Sequence, residues 1–212
     1  MRMGYFTFAI CYCLSSFFAI DSLQASLEPG SFRELQIRAL RLHWQGESKR
    51  AAEAFQECAG LCREEQGKYS SALARILLSM GWAQMMSGDL SKAGQSFAES
   101  LSIAEDLPSP SNHSGVTSAL RALAILHERR GNFNGAMEKY ERCIELLSEN
   151  QGVSKRNLIE VTERYLRLLE KMPKKSSWFG IEASVDEREI NEQKERIERL
   201  RKTLVFDEEA GN

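Results

Sequence analysis

Residues 73–104 read LARILLSMGWAQMMSGDLSKAGQSFAESLSIA. The apolar residues recur at helical spacing on both sides of Ser87-Gly88-Asp89, so the stretch predicts two helices joined by a tight hinge. Gly88 supplies the hinge because glycine reaches positive φ without a Cβ clash, and it is the usual residue just past a helix end. Asp89 then offers a side-chain oxygen to the unpaired amides of the second helix. Small residues flank the hinge, Gly81 seven before it and Ala93 five after it. Met80 and Phe97 are the large apolar residues each helix turns towards the other. The stretch is a helical hairpin.

The hairpin occurs three times. Aligning on Gly46, Gly88 and Gly131, which are 42 and 43 residues apart, brings five columns into register. Eleven before the glycine stand Leu35, Leu77 and Leu120; seven before stand Ala39, Gly81 and Ala124. Five after come Ala51, Ala93 and Ala136, and nine after come Phe55, Phe97 and Tyr140. Twelve after come the small residues Cys58, Ser100 and Cys143.

These columns resemble the tetratricopeptide repeat, in its small residue before the turn, its alanine after it and its later aromatic. The resemblance covers roughly residues 31–150, with a degenerate continuation to 205. The period is longer than the family's usual 34 residues by about two helical turns, and repeats of that length look like those of kinesin light chain. The proline that often closes the second helix is replaced by Arg63, Glu105 and Ser148. The tyrosine usual four before the hinge is replaced by Leu42, Gln84 and His127. The fold expected is all-α, a helical-hairpin array (α-solenoid) with a carboxy-terminal pair of capping helices.

Residues 1–25 differ from the rest. Tyr5–Ile20 carries no charge, Arg2 and the amino terminus precede it, and Ala25 ends the stretch before Ser26. That is the layout of a secretory signal peptide cleaved after Ala25, and sixteen apolar residues fall short of the ~20 that span a bilayer. The alternative is an uncleaved membrane anchor. Export to a periplasm, secretory lumen or extracellular space is expected, and membrane attachment only if the segment is retained.

The expected organisation beyond the leader is three repeats over about 31–66, 68–106 and 114–150. Ser31-Phe32-Arg33-Glu34 is a capping box that starts the first helix. Pro108 and Pro110 make 107–112 a loop. A further amphipathic helix follows over 154–172, with Leu158, Val161, Tyr165, Leu168 and Leu169 on one side. Ser184–Glu187 is a second capping box. The helix after it sets Ile190, Ile197 and Leu204 seven apart, which fits a cap on the last repeat or a short self-associating seam. Together 154–206 make a degenerate fourth hairpin, and 207–212 a disordered acidic tail.

Composition and motifs exclude more than they propose. The chain has 212 residues, 42% hydrophobic and 27% charged, with four prolines. A net charge of -2 gives no general attraction to nucleic acid. Cys58, Cys62 and Cys143 remain after the leader, an odd number and no disulfide framework. Cys58 and Cys62 share a helix face without the further ligands a metal site needs. His43, His113 and His127 are isolated, and no phosphate loop or nucleophile motif is present. No enzyme activity, cofactor or metal is expected. The partner expected is a protein or peptide, with self-association through the last helix as the alternative.

The resemblance implies that one face of each first helix lines a concave surface. Those positions are Gln36, Leu40, His43 and Trp44; then Leu78, Trp82, Met85 and Met86; then Arg121, Ile125, Glu128 and Arg129. Leu78, Trp82 and Met85 follow i, i+4, i+7 and make a second apolar stripe on their helix, either covered by other helices or open to a ligand. If it is open, the stripe is expected to take an apolar side chain of a peptide, with Arg121 and Arg129 holding a carboxylate.

Overall fold

The computed structural model describes residues 31–108, 113–149, 155–172 and 187–210. Within them lie eight helices and no strand. They are α1 (Phe32–Trp44), α2 (Ser48–Gln66), α3 (Ser71–Met86), α4 (Leu90–Asp106), α5 (His113–Arg129), α6 (Phe133–Glu149), α7 (Lys155–Lys171) and α8 (Glu187–Ala210). They form two compact units, α1–α4 ending at Leu107 and α5–α8 beginning after it. The leader, Pro110 and the capping box at Ser184 lie outside the described residues.

The three hinges are built alike. Gly46, Gly88 and Gly131 have φ of 80°, 90° and 72°. Each glycine amide bonds the carbonyl three back, from His43, Met85 and Glu128. The next amide bonds the carbonyl five back, from Leu42, Gln84 and His127, at 2.9–3.0 Å. This is the Schellman closure, which satisfies the last carbonyls of the first helix while reversing the chain.

The second helices are then capped in different ways. Asp89 accepts from the Lys92 amide at 3.1 Å and Asn132 from the Gly135 amide at 3.0 Å. Glu47 makes no such cap; its carboxylate pairs with Arg50 instead. Two residues that replace the usual tyrosine four before the hinge have local partners. Ser96 donates to Gln84 Oε1 at 2.7 Å in the second hairpin, and His127 Nδ1 meets Asn132 Nδ2 at 3.1 Å in the third.

In the first unit, α2 packs against both α1 and α3, and α4 against α3. One core cluster joins Ala39 and Leu42 of α1, Phe55, Cys58 and Cys62 of α2, and Leu73, Ile76 and Leu77 of α3. Met80 packs half-buried against that cluster, while the Phe97 ring meets Gly81 and Trp82. The large residues of this hairpin therefore face different neighbours.

In the second unit α6 packs on α5 and α7, and α8 packs on α7. Tyr140 and Tyr165 are fully buried with ring centroids 6.3 Å apart. Ile190 and Ile197 of α8 are 7% and 5% exposed, so the apolar stripe of that helix is covered inside its own unit. Lys194–Glu170 at 3.0 Å and Arg201–Glu163 at 2.6 Å set α8 antiparallel on α7. Helix α8 continues through Ala210, so residues 207–210 are helical and not a disordered tail. Nothing in Asp207-Glu208-Glu209-Ala210 breaks a helix before Gly211.

Candidate functional site

The columns expected to line a binding face fall within separate units, and each unit has its own arrangement. In the first, α1 and α3 run in the same direction because α2 connects and packs on both. Gln36 and Leu40 on α1 are half-buried, and Trp44 at its end is 63% exposed. Leu78 and Trp82 on α3 are half-buried, and Met86 at its end is 59% exposed. The three residues on each helix are four apart and lie on one stripe, so the two helices repeat one exposure profile position by position.

The column three before the hinge departs from the expectation. Met85 is 1% exposed, so it is a core residue and offers nothing to a groove. It sits in the last turn before the chain doubles back, its carbonyl already bonded by the hinge glycine, and its long unbranched side chain fills the packed interior. His43, its counterpart, is half-buried, and burial holds its imidazole below the ordinary value. Trp82 touches the core as well as the surface: its ring meets Phe97 edge-on, centroids 5.4 Å apart at 65°.

In the second unit the corresponding residues are tied within the fold. Arg121, half-buried, pairs with Glu160 of α7 at 3.3 Å. Glu128 accepts the hydroxyl of Tyr140. Burial and that carboxylate push the Tyr140 hydroxyl above its ordinary range, so it stays a donor. Ile125 is half-buried and Arg129 exposed. Within its own unit Arg121 thus meets the carboxylate of Glu160, at a part-exposed surface pair. No signal in the sequence marks a partner 39 residues away on another helix.

The thiols are built for packing. Cys58, Cys62 and Cys143 are buried and free. Burial pushes Cys58 up to about 12, with Cys62 and Glu65 adding to it, and Cys143 up to about 11. Thiols held that high are poor nucleophiles at neutral pH. Among the described residues no three His, Cys, Asp or Glu side chains converge as a metal-ligand set, and no helix is long and apolar enough to cross a membrane.

Sequence reasoning missed a cleft of about 700 Å³ among α6, α7 and α8. Glu141 and Glu189 both meet the Tyr165 hydroxyl there, at 2.6 and 2.5 Å, and Arg196 donates to Ser148 at 2.5 Å. The Glu189 and Arg196 contacts fasten α8 to α7 and α6, and the Glu141 contact joins α6 to α7.

Residues 119–154, centred on the third hinge, match the family model of the tetratricopeptide repeat. The chain matches no curated protein sequence. Among solved structures it is similar to BtubC (BKLC) from P. vanneervenii, with a TM-score of 0.69 and 15% identity over 96% of this chain and 76% of that one. It is also similar to a Podosopora anserina protein with nearly identical TPR-like repeats of kinesin-light-chain type. That likeness has a TM-score of 0.64 and 13% identity over 88% of this chain and 85% of that one. At such identities the likeness is one of fold.

Proposed function

We propose that this tetratricopeptide-repeat array is a non-catalytic scaffold that holds a peptide segment of a protein partner on the first-helix face of its first unit. Arrays of this kind are in general scaffolds for protein–protein interaction. The observation that carries the reading is the repeated profile of α1 and α3, which leaves Trp44 and Met86 in water at equivalent positions. Large apolar side chains gain nothing for a fold from that placement, and tryptophan is enriched among binding hot spots. Leu40, Leu78 and Trp82 continue the apolar surface between the two helices' ends.

The test is selection of random displayed peptides on the chain, repeated on the Trp44→Ser, Met86→Ser double variant. Peptides recovered on the first and lost on the second support the reading. Equal recovery on both overturns it.

We also propose that the chain is exported, on the strength of the uncharged Tyr5–Ile20 run ahead of Ala25. Mass spectrometry of the mature chain is expected to place its amino terminus near Ser26. An intact Met1 in a soluble cytosolic fraction overturns export. Self-association through α8 is the weaker reading, because Ile190 and Ile197 would first have to leave the unit that buries them.

A further inference from the structure

We infer that the groove between α6 and α7, which α8 covers, accepts a more basic amphipathic helix from a partner protein, with α8 as its resident competitor. This surface lies in the second unit and does not depend on the docking reading above.

The seated α8 shows that the groove holds a helix, and how lightly. Among the described side chains of α8, only Ile190 and Ile197, seven apart, are buried. Helices α6 and α7 each bury five apolar or aromatic side chains. The other holds of α8 include three basic ones: Lys194 on Glu170, Arg201 on Glu163 and Arg196 on the Ser148 hydroxyl.

The fit of α8 is faulty in three places. A cleft of about 700 Å³ remains between it and the helices beneath. Gln193 lines that cleft, and its amide oxygen is buried with no hydrogen-bond partner among the described residues. The Tyr165 hydroxyl has one proton to donate, yet two carboxylates meet it, Glu141 of α6 at 2.6 Å and Glu189 of α8 at 2.5 Å. Glu141 belongs to the contact of α6 with α7, so the surplus carboxylate is the one α8 brings. A buried polar atom without a partner and a carboxylate facing an occupied donor both cost free energy.

The charge of the groove says which helix would sit there better. Glu141, Glu145 and Glu149 stand four apart and exposed on α6, an acidic stripe along the cleft. Helix α8 answers with Arg188 and Arg196 but adds Glu189 and Glu192, so five carboxylates face two guanidiniums. On α7, Glu163 and Glu170 are the groups that take Arg201 and Lys194. The ligand class is therefore a helix with two aliphatic residues seven apart and basic residues at the Lys194 and Arg201 positions. In place of Glu189 and Glu192 it carries glutamine or lysine. A donor at the Glu189 position bonds the Tyr165 oxygen and leaves the hydroxyl proton to Glu141.

The experiment uses the full-length chain, isotope-labelled, and two fluorescein-labelled peptides of the α8 sequence Glu187–Ala210. One peptide is unchanged and the other carries Glu189→Gln and Glu192→Lys. Polarisation is expected to show the recharged peptide binding about tenfold or more tightly at low salt, the gap narrowing as salt is raised. Hydrogen exchange is expected to show the chain's own α8 losing protection at saturating peptide while α6 and α7 keep theirs. The Glu145→Lys, Glu149→Lys chain is expected to lose the preference between the peptides. The Glu189→Gln chain, relieved of the surplus carboxylate, is expected to protect α8 about fivefold better and to bind the recharged peptide more weakly. Equal binding of the two peptides to the parent would make the groove a place for a second copy's α8, and overturns the inference. So does the absence of binding, binding that leaves α8 protection unchanged, or a Glu189→Gln chain whose α8 is no better protected.

Discussion

The hydroxyl of Ser100 on α4 donates to the carbonyl oxygen of Ala74 on α3 at 2.7 Å, across 26 residues of chain. The other hairpins repeat the bond with thiols. Cys58 reaches the Phe32 carbonyl at 3.2 Å and Cys143 the Thr117 carbonyl at 3.5 Å, each across the same separation. The small column twelve after the hinge is therefore a column of interhelix donors. The Ser100→Ala variant is expected to lose about 0.5–1.5 kcal/mol of stability in urea unfolding, and Ser100→Cys less than that. Equal losses in the two variants would mean that packing alone decides this position.

Gly81 is where the second hairpin closes most tightly. A Cβ placed there would stand 2.4 Å from Cε1 of Phe97. Ala39 and Ala124 fill the same column in their own hairpins, so the demand for glycine is particular to the Phe97 ring. Gly81→Ala is expected to cost about 1–3 kcal/mol by overpacking, and Phe97→Leu in the same chain to recover part of it. The check is a double-mutant cycle by chemical denaturation; additive effects would contradict the contact.

Alkaline stability follows from the raised thiols. From an ordinary 9.0, Cys58 is pushed up to about 12 and Cys143 to about 11, burial being the main cause in each. Above pH 9 the unfolded chain releases protons that the folded chain keeps. Stability is thus intact below pH 9 and falls as pH rises towards 11 and 12. The Cys58→Ser, Cys143→Ser chain, which copies the Ser100 column, is expected to lose less stability between pH 8 and 10.5 than its parent.

At the acid side the group to watch is His127. Its Nδ1 accepts from Asn132 Nδ2, whose amide oxygen is engaged as the α6 cap, so protonation of Nδ1 removes the bond. Burial first, then Arg130 and Lys139, hold this imidazole below 6.5. A lowered value means stability fully present above pH 6.5 and lost as pH falls through the folded-state value. His127→Gln keeps an acceptor without the titration. Its melting temperature is expected to drop less than the parent's between pH 7.5 and 5, and an unchanged drop would count against this account.

Much of this architecture is legible in the sequence for a simple reason. Gly46, Gly88 and Gly131 must adopt positive φ, and the small and aromatic columns around them must meet within one hairpin, so local spacing carries the information. Ser31 accepting from the Glu34 amide at 3.3 Å is legible on the same ground. The candidate site was legible only in part. Gln36, Leu40, Trp44, Leu78, Trp82 and Met86 do share a surface stripe, but Met85 on the same stripe is buried and Arg121 is paired. Helical phase tells which residues share a face. It does not tell which side chain the hairpin will fold over, or which helix 39 residues later will bring a carboxylate.

The two tryptophans at the surface of the first unit separate packing from binding. Trp82 is half-buried with its ring edge-on to Phe97, whereas Trp44 is 63% exposed at the end of α1. An aromatic pair of this geometry contributes about 0.5–1.5 kcal/mol beyond the area it buries, so Trp82→Ala is expected to lower stability through both terms. The cycle of Trp82→Leu with Phe97→Leu should show a coupling of that size. Trp44→Ala removes little from the fold and is expected to change stability by no more than about 0.5 kcal/mol, in keeping with an exposed position. Urea unfolding of the two alanine variants decides between the roles. If Trp44→Ala destabilises the chain as much as Trp82→Ala does, Trp44 belongs to the packing of the array and cannot be the apolar end of a docking face.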